Sequence, residues 1–420
     1  MTTYTPKRIR FQNGERHSVL IAPTGLPVHE ATLFLLRFRT RGRAANTIHL
    51  VCTALAIFHS ELDSAGIDIR ERLRHAKFLT ATEIDRISRA AQSPAKDLES
   101  EKDPKRGAKV ISLERVHPKL KRKKNETTQV DIRTRATRLW YINQYLEFLT
   151  AYYQSTLTPR LAKELDESSK NILKLLLSGI PRVPRRAKLD ARTGLSHEEE
   201  NRLLKITHPD SSDNPWRHNF VRQRNWVIIV MLLATGMRRG ELLGLRISDI
   251  SSNEPKLVIL RRPDDLEDPR RIEPNTKTGE RRIEISRQVM QCLNNYINEY
   301  RRSIKASRKH QYVFVANDGQ PLSLTSIDKI FQEIRKSNPN LPRNLTSHVM
   351  RHTWNDRFSE QSDILGLTPE VEQKARNEHQ GWSENSMMGV TYTRRTTSQK
   401  GREVALKLQE TLDASLKRDR

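Results

Sequence analysis

Four short stretches in the second half of this chain carry side chains suited to phosphoryl transfer. In Leu345-Thr346-Ser347-His348-Val349-Met350-Arg351-His352-Thr353-Trp354, His348 and Arg351 stand three apart. On a helix they share a face and can address one phosphate together. Arginine offers a rigid fork of donors to nonbridging oxygens, and histidine moves a proton near neutral pH. Arg238 lies in Met237-Arg238-Arg239-Gly240-Glu241, between the apolar run 226–235 that stops at Gly236 and the apolar turn Leu242-Leu243-Gly244-Leu245. An arginine at such a junction is positioned rather than merely solvated, and Glu241 can reach back to orient it or to cap the new helix. Lys277, in Lys277-Thr278-Gly279, sits at a turn from which a lysine can swing over a substrate and donate a proton. Tyr392 follows Gln380-Gly381-Trp382 and is flanked by Thr391, Thr393, Arg394 and Arg395. A phenol is feeble at its free pKa of about 10, but it can attack phosphorus when positive charge surrounds it.

Each group taken alone has an ordinary structural reading. Arg238 reads equally as one half of an interhelix salt bridge, and Lys277 as an exposed turn residue. His-x-x-Arg is a common spacing, a tyrosine near a C-terminal helix usually packs in a core, and His352 reads as a satisfied buried histidine. The elements that must position these groups can also be read. Leu195-Ser196-His197-Glu198-Glu199-Glu200 predicts a helix capped by Ser196, with acidic residues in its favoured first turn. Strands are expected over 257–260 and 282–285. Upstream, a weak hairpin is expected around Asn13-Gly14 within residues 1–28, and helices with basic outer faces over 29–74 and 131–177. Between those helical stretches runs a charged segment, 97–129, that includes Lys119, Lys121, Arg122, Lys123 and Lys124. It reads both as a solvated loop and as one that tracks phosphates.

Seventy-five Lys and Arg against 50 Asp and Glu give the 420-residue chain a net charge of +25, which favours a polyanionic partner, above all nucleic acid. Residues 1–194 carry +17 of that charge and the remainder +8, so the first half is expected to grip the polyanion. Only 35% of residues are hydrophobic, and no apolar run approaches the roughly 20 residues of a spanning helix. Cys52 and Cys292 offer neither a disulfide framework nor a zinc spacing, which suits a reducing cytosol. Two prolines in Gly179-Ile180-Pro181-Arg182-Val183-Pro184 break helix geometry. The expected organisation is therefore a basic helical domain over 1–180, a linker over 181–194 and a second domain over 195–420.

Taken together and in order, Thr235-Gly236-Met237-Arg238-Arg239-Gly240-Glu241-Leu242, Lys277-Thr278-Gly279, His348-Val349-Met350-Arg351-His352-Thr353 and Gly381-Trp382 with Tyr392 resemble the tyrosine recombinases, the phage-integrase family. The resemblance covers residues 195 to about 395. It implies a mainly α, two-domain DNA clamp: a helical core-binding domain followed by a mostly helical catalytic domain with a small antiparallel sheet. It implies further that Arg238 and Arg351 clamp the nonbridging oxygens, Lys277 protonates the leaving 5′-oxygen and His348 assists proton transfer. Trp382 then holds the phosphate, Tyr392 attacks to leave a 3′-phosphotyrosine, and Glu241 supports. No metal or cofactor is expected, since the covalent phosphotyrosine retains the bond for rejoining. The expected partners are double-stranded DNA and further copies of the chain, tetramerising on DNA through exchange of a C-terminal helix over 402–416. Three departures stand out: one residue more than usual between Trp382 and Tyr392, an insertion over 359–372, and a long acidic turn between Leu260 and Lys277. The implied activity is that of a mobile-element recombinase or integrase working on DNA in the cytoplasm. A type IB-like topoisomerase or resolvase, and a non-catalytic DNA-binding regulator, are the alternatives.

Overall fold

The computed structural model describes residues 3–94, 129–183, 193–251, 254–274, 276–389 and 400–410. The charged segment 97–129 lies almost wholly outside them, as do most of the linker 181–194 and Tyr392 with its flanking residues. The chain divides into two compact units, Met1–Arg185 and Arg186–Arg420. Both are mostly helical, and each of their sheets is a two-stranded antiparallel pair.

The first unit opens with β1 (Thr5–Arg10) and β2 (Arg16–Ile21), paired from Thr5 opposite Ile21 to Arg10 opposite Arg16. The Asn13-Gly14 turn closes this hairpin, with the Asn13 side chain accepting from the Glu15 amide at 3.0 Å. Helices α1 (His29–Thr40), α2 (Ala45–Ser64) and α3 (Ile69–Arg74) fill the stretch expected to be helical. Helix α4 (Ala81–Ala90) was not expected, although Thr80-Ala81-Thr82-Glu83 carries its signal: the Glu83 carboxylate caps the Thr80 amide at 2.8 Å. Helices α5 (Ile132–Gln154) and α6 (Pro159–Ser178) complete the unit. Phe34, Leu55, Phe58, Leu139, Tyr145 and Leu146 are buried at its centre, each contributing roughly 1.5–3 kcal/mol by leaving water.

The second unit begins where the Gly194 amide reaches the Asp356 carboxylate at 3.2 Å and the Leu195 amide reaches the Thr353 hydroxyl at 2.8 Å. A Cβ on Gly194 would come within 2.7 Å of Thr353 backbone, so only glycine fits this entry. Helix α7 (His197–Thr207) has the expected reciprocal cap between Ser196 and Glu199, followed by α8 (Asn219–Thr235) and α9 (Arg239–Gly244). Strands β3 (Lys256–Ile259) and β4 (Arg281–Glu284) each start one residue before the expected position, and Leu257 pairs with Ile283. Then come α10 (Arg287–Asn295), which continues into a π-type turn over Tyr296–Arg301, α11 (Leu324–Ser337), α12 (Ser347–Ile364) and α13 (Pro369–Gln380). Residues 400–410 form a further helix. Val227, Ile228, Leu232, Leu242, Ile283 and Phe331 belong to the apolar core.

The long acidic turn between the strands is knitted to this unit. Asp265 pairs with Arg246 and accepts from the Tyr312 hydroxyl, Arg262 pairs with Asp249, and Arg270 donates to Asp268 and to the carbonyls of Leu243 and Leu322. The stretch 359–372 comprises the last turns of α12, a short connection and the start of α13. Its ends meet where the Ser359 hydroxyl donates to Glu372 at 2.7 Å. No helix among the described residues is long and apolar enough to cross a membrane.

Candidate active site

Helix α8 ends at Gly236 in the left-handed region, at φ +60°. A Cβ there would meet Trp354 at 2.7 Å and Gln380 at 2.8 Å, so the close approach of α12 and α13 demands glycine as much as the dihedral does. The turn delivers Arg238 to the N-terminus of α9 with its side chain one-quarter exposed. Glu241 does both things its spacing suggested: it accepts from the Arg238 amide at 2.9 Å and from the Arg238 guanidinium at 3.2 Å. Neighbouring Arg239 points elsewhere, paired with Asp328 at 2.6 Å.

Arg351 emerges from the second turn of α12 and is only 1% exposed. It donates to the Gly236 carbonyl at 2.6 Å, which ties it to the turn that aims Arg238. Its guanidinium carbon lies 5.2 Å from the centre of the Trp382 ring, a cation–π contact that helps to orient the buried arginine. His348, one turn earlier on α12, is exposed, and its ring meets that of buried His352 edge-on at 4.9 Å.

Lys277 is exposed, but both its neighbours are buried. The Thr278 hydroxyl donates to Glu241 at 2.7 Å, and the Gly279 amide donates to the Gly381 carbonyl at 2.9 Å. Gly381 ends α13 at φ +64°, and a Cβ there would meet the Gly279 carbonyl oxygen at 2.8 Å. The lysine turn and the corner that presents Trp382 are thus in backbone contact.

Two residues that the motifs did not single out complete this connection. Arg281 donates to Glu241 at 2.9 Å, to the Thr278 hydroxyl at 3.2 Å and to the His379 carbonyl at 2.6 Å. The His379 ring stacks on Trp354 at 4.4 Å, and its Nε2 donates to the Thr235 carbonyl at 3.0 Å. Burial would raise the Glu241 pKa, but the charge and hydrogen bonding of Arg281, with the donors from Thr278 and Arg238, outweigh it and hold the carboxyl at about 2. Burial first, and then the charges of Arg281 and Arg351, push His379 below the usual imidazole range. The only sequence signal for either residue is position: Arg281 opens β4 four residues after Lys277, and His379 precedes Gly381 by two.

The structure therefore brings Arg238, Glu241, Lys277, Arg351 and Trp382 into one connected region, with His348 on the same helix as Arg351. Tyr392 is outside the described residues. Fixed cations in a partly dry setting stabilise charge that develops on an oxygen centre, and they need little reorganisation to do so. Among the described residues no group of His, Cys, Asp and Glu could hold a metal ion.

Residues 194–399 match the model of the phage integrase family. The chain is similar to the tyrosine recombinase XerD of Halalkalibacterium halodurans, with 28% identity over 148 residues, covering 35% of this chain and 44% of that protein. Transposase A from transposon Tn554 of Staphylococcus aureus is 28% identical over 140 residues, covering 31% of this chain and 35% of that protein. The match thus spans less than half the length of either relative. Among solved structures, the Tn1549 transposon integrase in complex with a circular intermediate DNA aligns with 21% identity and a TM-score of 0.40, over 64% of this chain and 84% of that one.

Proposed function

From the premise that residues 194–399 match the model of the phage integrase family, we propose that this chain is a site-specific DNA recombinase or integrase of a mobile element. The observation that carries the reading is the network centred on Glu241. It joins the Arg238 turn, the Lys277 turn and, through Arg281 and His379, the corner bearing Trp382, while Arg351 is bonded to the same Gly236 turn. All four motifs that resemble a recombinase site are interlocked by hydrogen bonds, and the last of them precedes Tyr392 in the chain.

In the proposed step Tyr392 attacks the scissile phosphate. The Oη–P bond forms as the P–O5′ bond breaks, His348 takes the phenolic proton, and Lys277 gives a proton to the leaving 5′-oxygen. Arg238 and Arg351 hold the nonbridging oxygens, where phosphoryl transfer concentrates negative charge, and Trp382 closes over the phosphate beside Arg351. Glu241 keeps Arg238 aimed and, being ionised, offsets part of the cationic charge of an unoccupied site. The 3′-phosphotyrosine conserves the energy of the bond, so a free 5′-hydroxyl from the same or another duplex can reverse the step. Neither a nucleotide nor a metal is required.

Double-stranded DNA is the proposed substrate, and four copies of the chain act together on two duplexes. Val404, Leu406 and Leu408 are exposed on helix 400–410, which supports docking of that helix on a neighbouring copy. The Lys400–Asp363 ion pair ties the start of this helix to its own chain.

The test is a nicked suicide duplex that traps the covalent intermediate. Tyr392→Phe is expected to bind DNA normally and form no adduct, whereas an adduct from Tyr392→Phe refutes the nucleophile assignment. Joining of two different duplexes by the unaltered protein separates a recombinase from a topoisomerase. Binding without any adduct leaves only a DNA-binding regulator.

A further inference from the structure

We propose that Arg281 is the positioning residue for Lys277: it locks the turn that carries the lysine onto the Arg238 and Trp382 segments and so sets where the proton is delivered. The inference rests on the reading of Lys277 as the proton donor given above.

Lys277 stands on an exposed turn, and an unbranched four-carbon stem does not fix its own ammonium. The direction of the stem is therefore set by the backbone on either side. On the C-terminal side that backbone is held by Thr278 on Glu241 and by Gly279 on Gly381. Arg281 links the two attachments. One terminal nitrogen reaches Glu241, the other reaches the Thr278 hydroxyl, and Nε reaches the carbonyl of His379, two residues before Gly381. Three acceptors from three segments meet one planar group, a geometry suited to the guanidinium fork and one an ammonium does not reproduce. The Arg281 side chain is 5% exposed and all three of its nitrogens donate to protein atoms, so it acts through its neighbours rather than on substrate. Glu241 is shared: Oε2 accepts from Arg281 and from the Arg238 amide, and Oε1 accepts from the Thr278 hydroxyl and the Arg238 guanidinium, so loosening Arg281 releases one oxygen of the carboxylate whose other oxygen holds Thr278.

The experiment compares adduct formation on two nicked duplexes, one with the ordinary 5′-oxygen at the scissile phosphate and one with sulfur bridging at that position. A thiolate leaves without a proton, so the sulfur duplex bypasses whatever Lys277 supplies. Arg281→Gln is expected to slow the oxygen substrate about a hundredfold, within the range that general acid catalysis supplies. It should run within a few-fold of the unaltered protein on sulfur, as Lys277→Ala should, with unchanged affinity for DNA. Arg281→Lys keeps the charge but not the fork and is expected to fall in between. Thr278→Val preserves the shape of the turn and removes one attachment, so it tests the same coupling if Arg281 variants fold poorly; a smaller defect, again relieved by sulfur, is expected. Arg281→Gln and Thr278→Val equally slow on both duplexes, with Lys277→Ala relieved by sulfur, would overturn the positioning role alone. A Lys277→Ala defect that sulfur does not relieve would overturn the proton-donor reading, and the proposal with it.

Discussion

At the centre of the first unit Phe34, Phe58, Leu55 and Tyr145 pack ring against ring and methyl against ring, with Phe34 and Tyr145 centred 5.2 Å apart. At the equivalent depth in the second unit, around α12 and α13, lie Arg351, Asn355, Asp356, Asn377 and Gln380, none more than 1% exposed. The first kind of interior draws its stability from area removed from water and is indifferent to direction. The second costs desolvation at every polar atom and is retained where direction matters. The first unit does bury polar groups, but as isolated devices: His59 against the Tyr145 hydroxyl at 3.1 Å, and Glu30 against Tyr153 at 2.8 Å. In the second unit they brace the segments that carry the cations, Asn355 donating to the Arg351 carbonyl at 2.7 Å and Asp356 accepting from the Gly194 amide at 3.2 Å. The contrast teaches that stability and chemistry are specified in different places and should fail differently.

The largest expected effect belongs to the directional interior. Arg351→Gln should slow adduct formation on the suicide duplex by about 10²–10³, the cost of removing one fixed donor from a developing oxyanion. An Arg351→Gln rate within threefold of the unaltered protein would place Arg351 in the scaffold only. The converse holds for the apolar interior. Phe58→Ala should cost the first unit about 3–5 kcal/mol through lost burial and the cavity left behind, read from denaturant unfolding. It should leave the rate of adduct formation per DNA-bound molecule nearly unchanged, and a rate loss as large as that of Arg351→Gln would erase the distinction.

Acid sharpens the comparison with a smaller effect. Burial lowers His59 to about 3 and keeps it neutral in the folded chain. The unfolded chain takes up that proton below about 6.5, so stability present above 6.5 is lost as pH falls toward 3. Glu241 sits at about 2, below the ordinary carboxyl value of about 4.3. Its contribution is therefore present above that value and lost only as pH falls from about 4.3 to 2. The lowered pKa of His379 adds a term of the same sign as that of His59 to the second unit. Hydrogen exchange on the full chain should show α2 and α5 losing protection as pH falls from 6.5 toward 4, and His59→Leu should flatten that loss. An unchanged profile in His59→Leu would assign the acid sensitivity elsewhere.

Much of this architecture was legible because it is local. The helices over 29–74 and 131–177, the Asn13-Gly14 hairpin, the cap of Ser196 and the stop at Gly236 each follow from a period or a side chain acting within one turn. The phase of α12 alone places His348 a turn before Arg351, and three residues separate Glu241 from the arginine it holds. The capping signal of helix α4, Thr80 with Glu83, is equally local, although α4 lies outside the stretches whose apolar period predicts a helix.

What the tertiary structure decided is how distant turns meet. Arg281 and His379 stand 98 positions apart, and Arg351 and Gly236 stand 115 apart. No periodicity encodes such pairs, because a hydrogen bond between segments depends on where two helices and a strand finish packing. The sequence by itself supplied the chemical inventory, Arg238, Lys277, His348, Arg351, Trp382 and Tyr392, and the elements that carry most of it. Only packing showed that Glu241 and Arg281 interlock three of those segments, since a buried carboxylate takes its partners from whatever donors the folded chain brings within 3 Å.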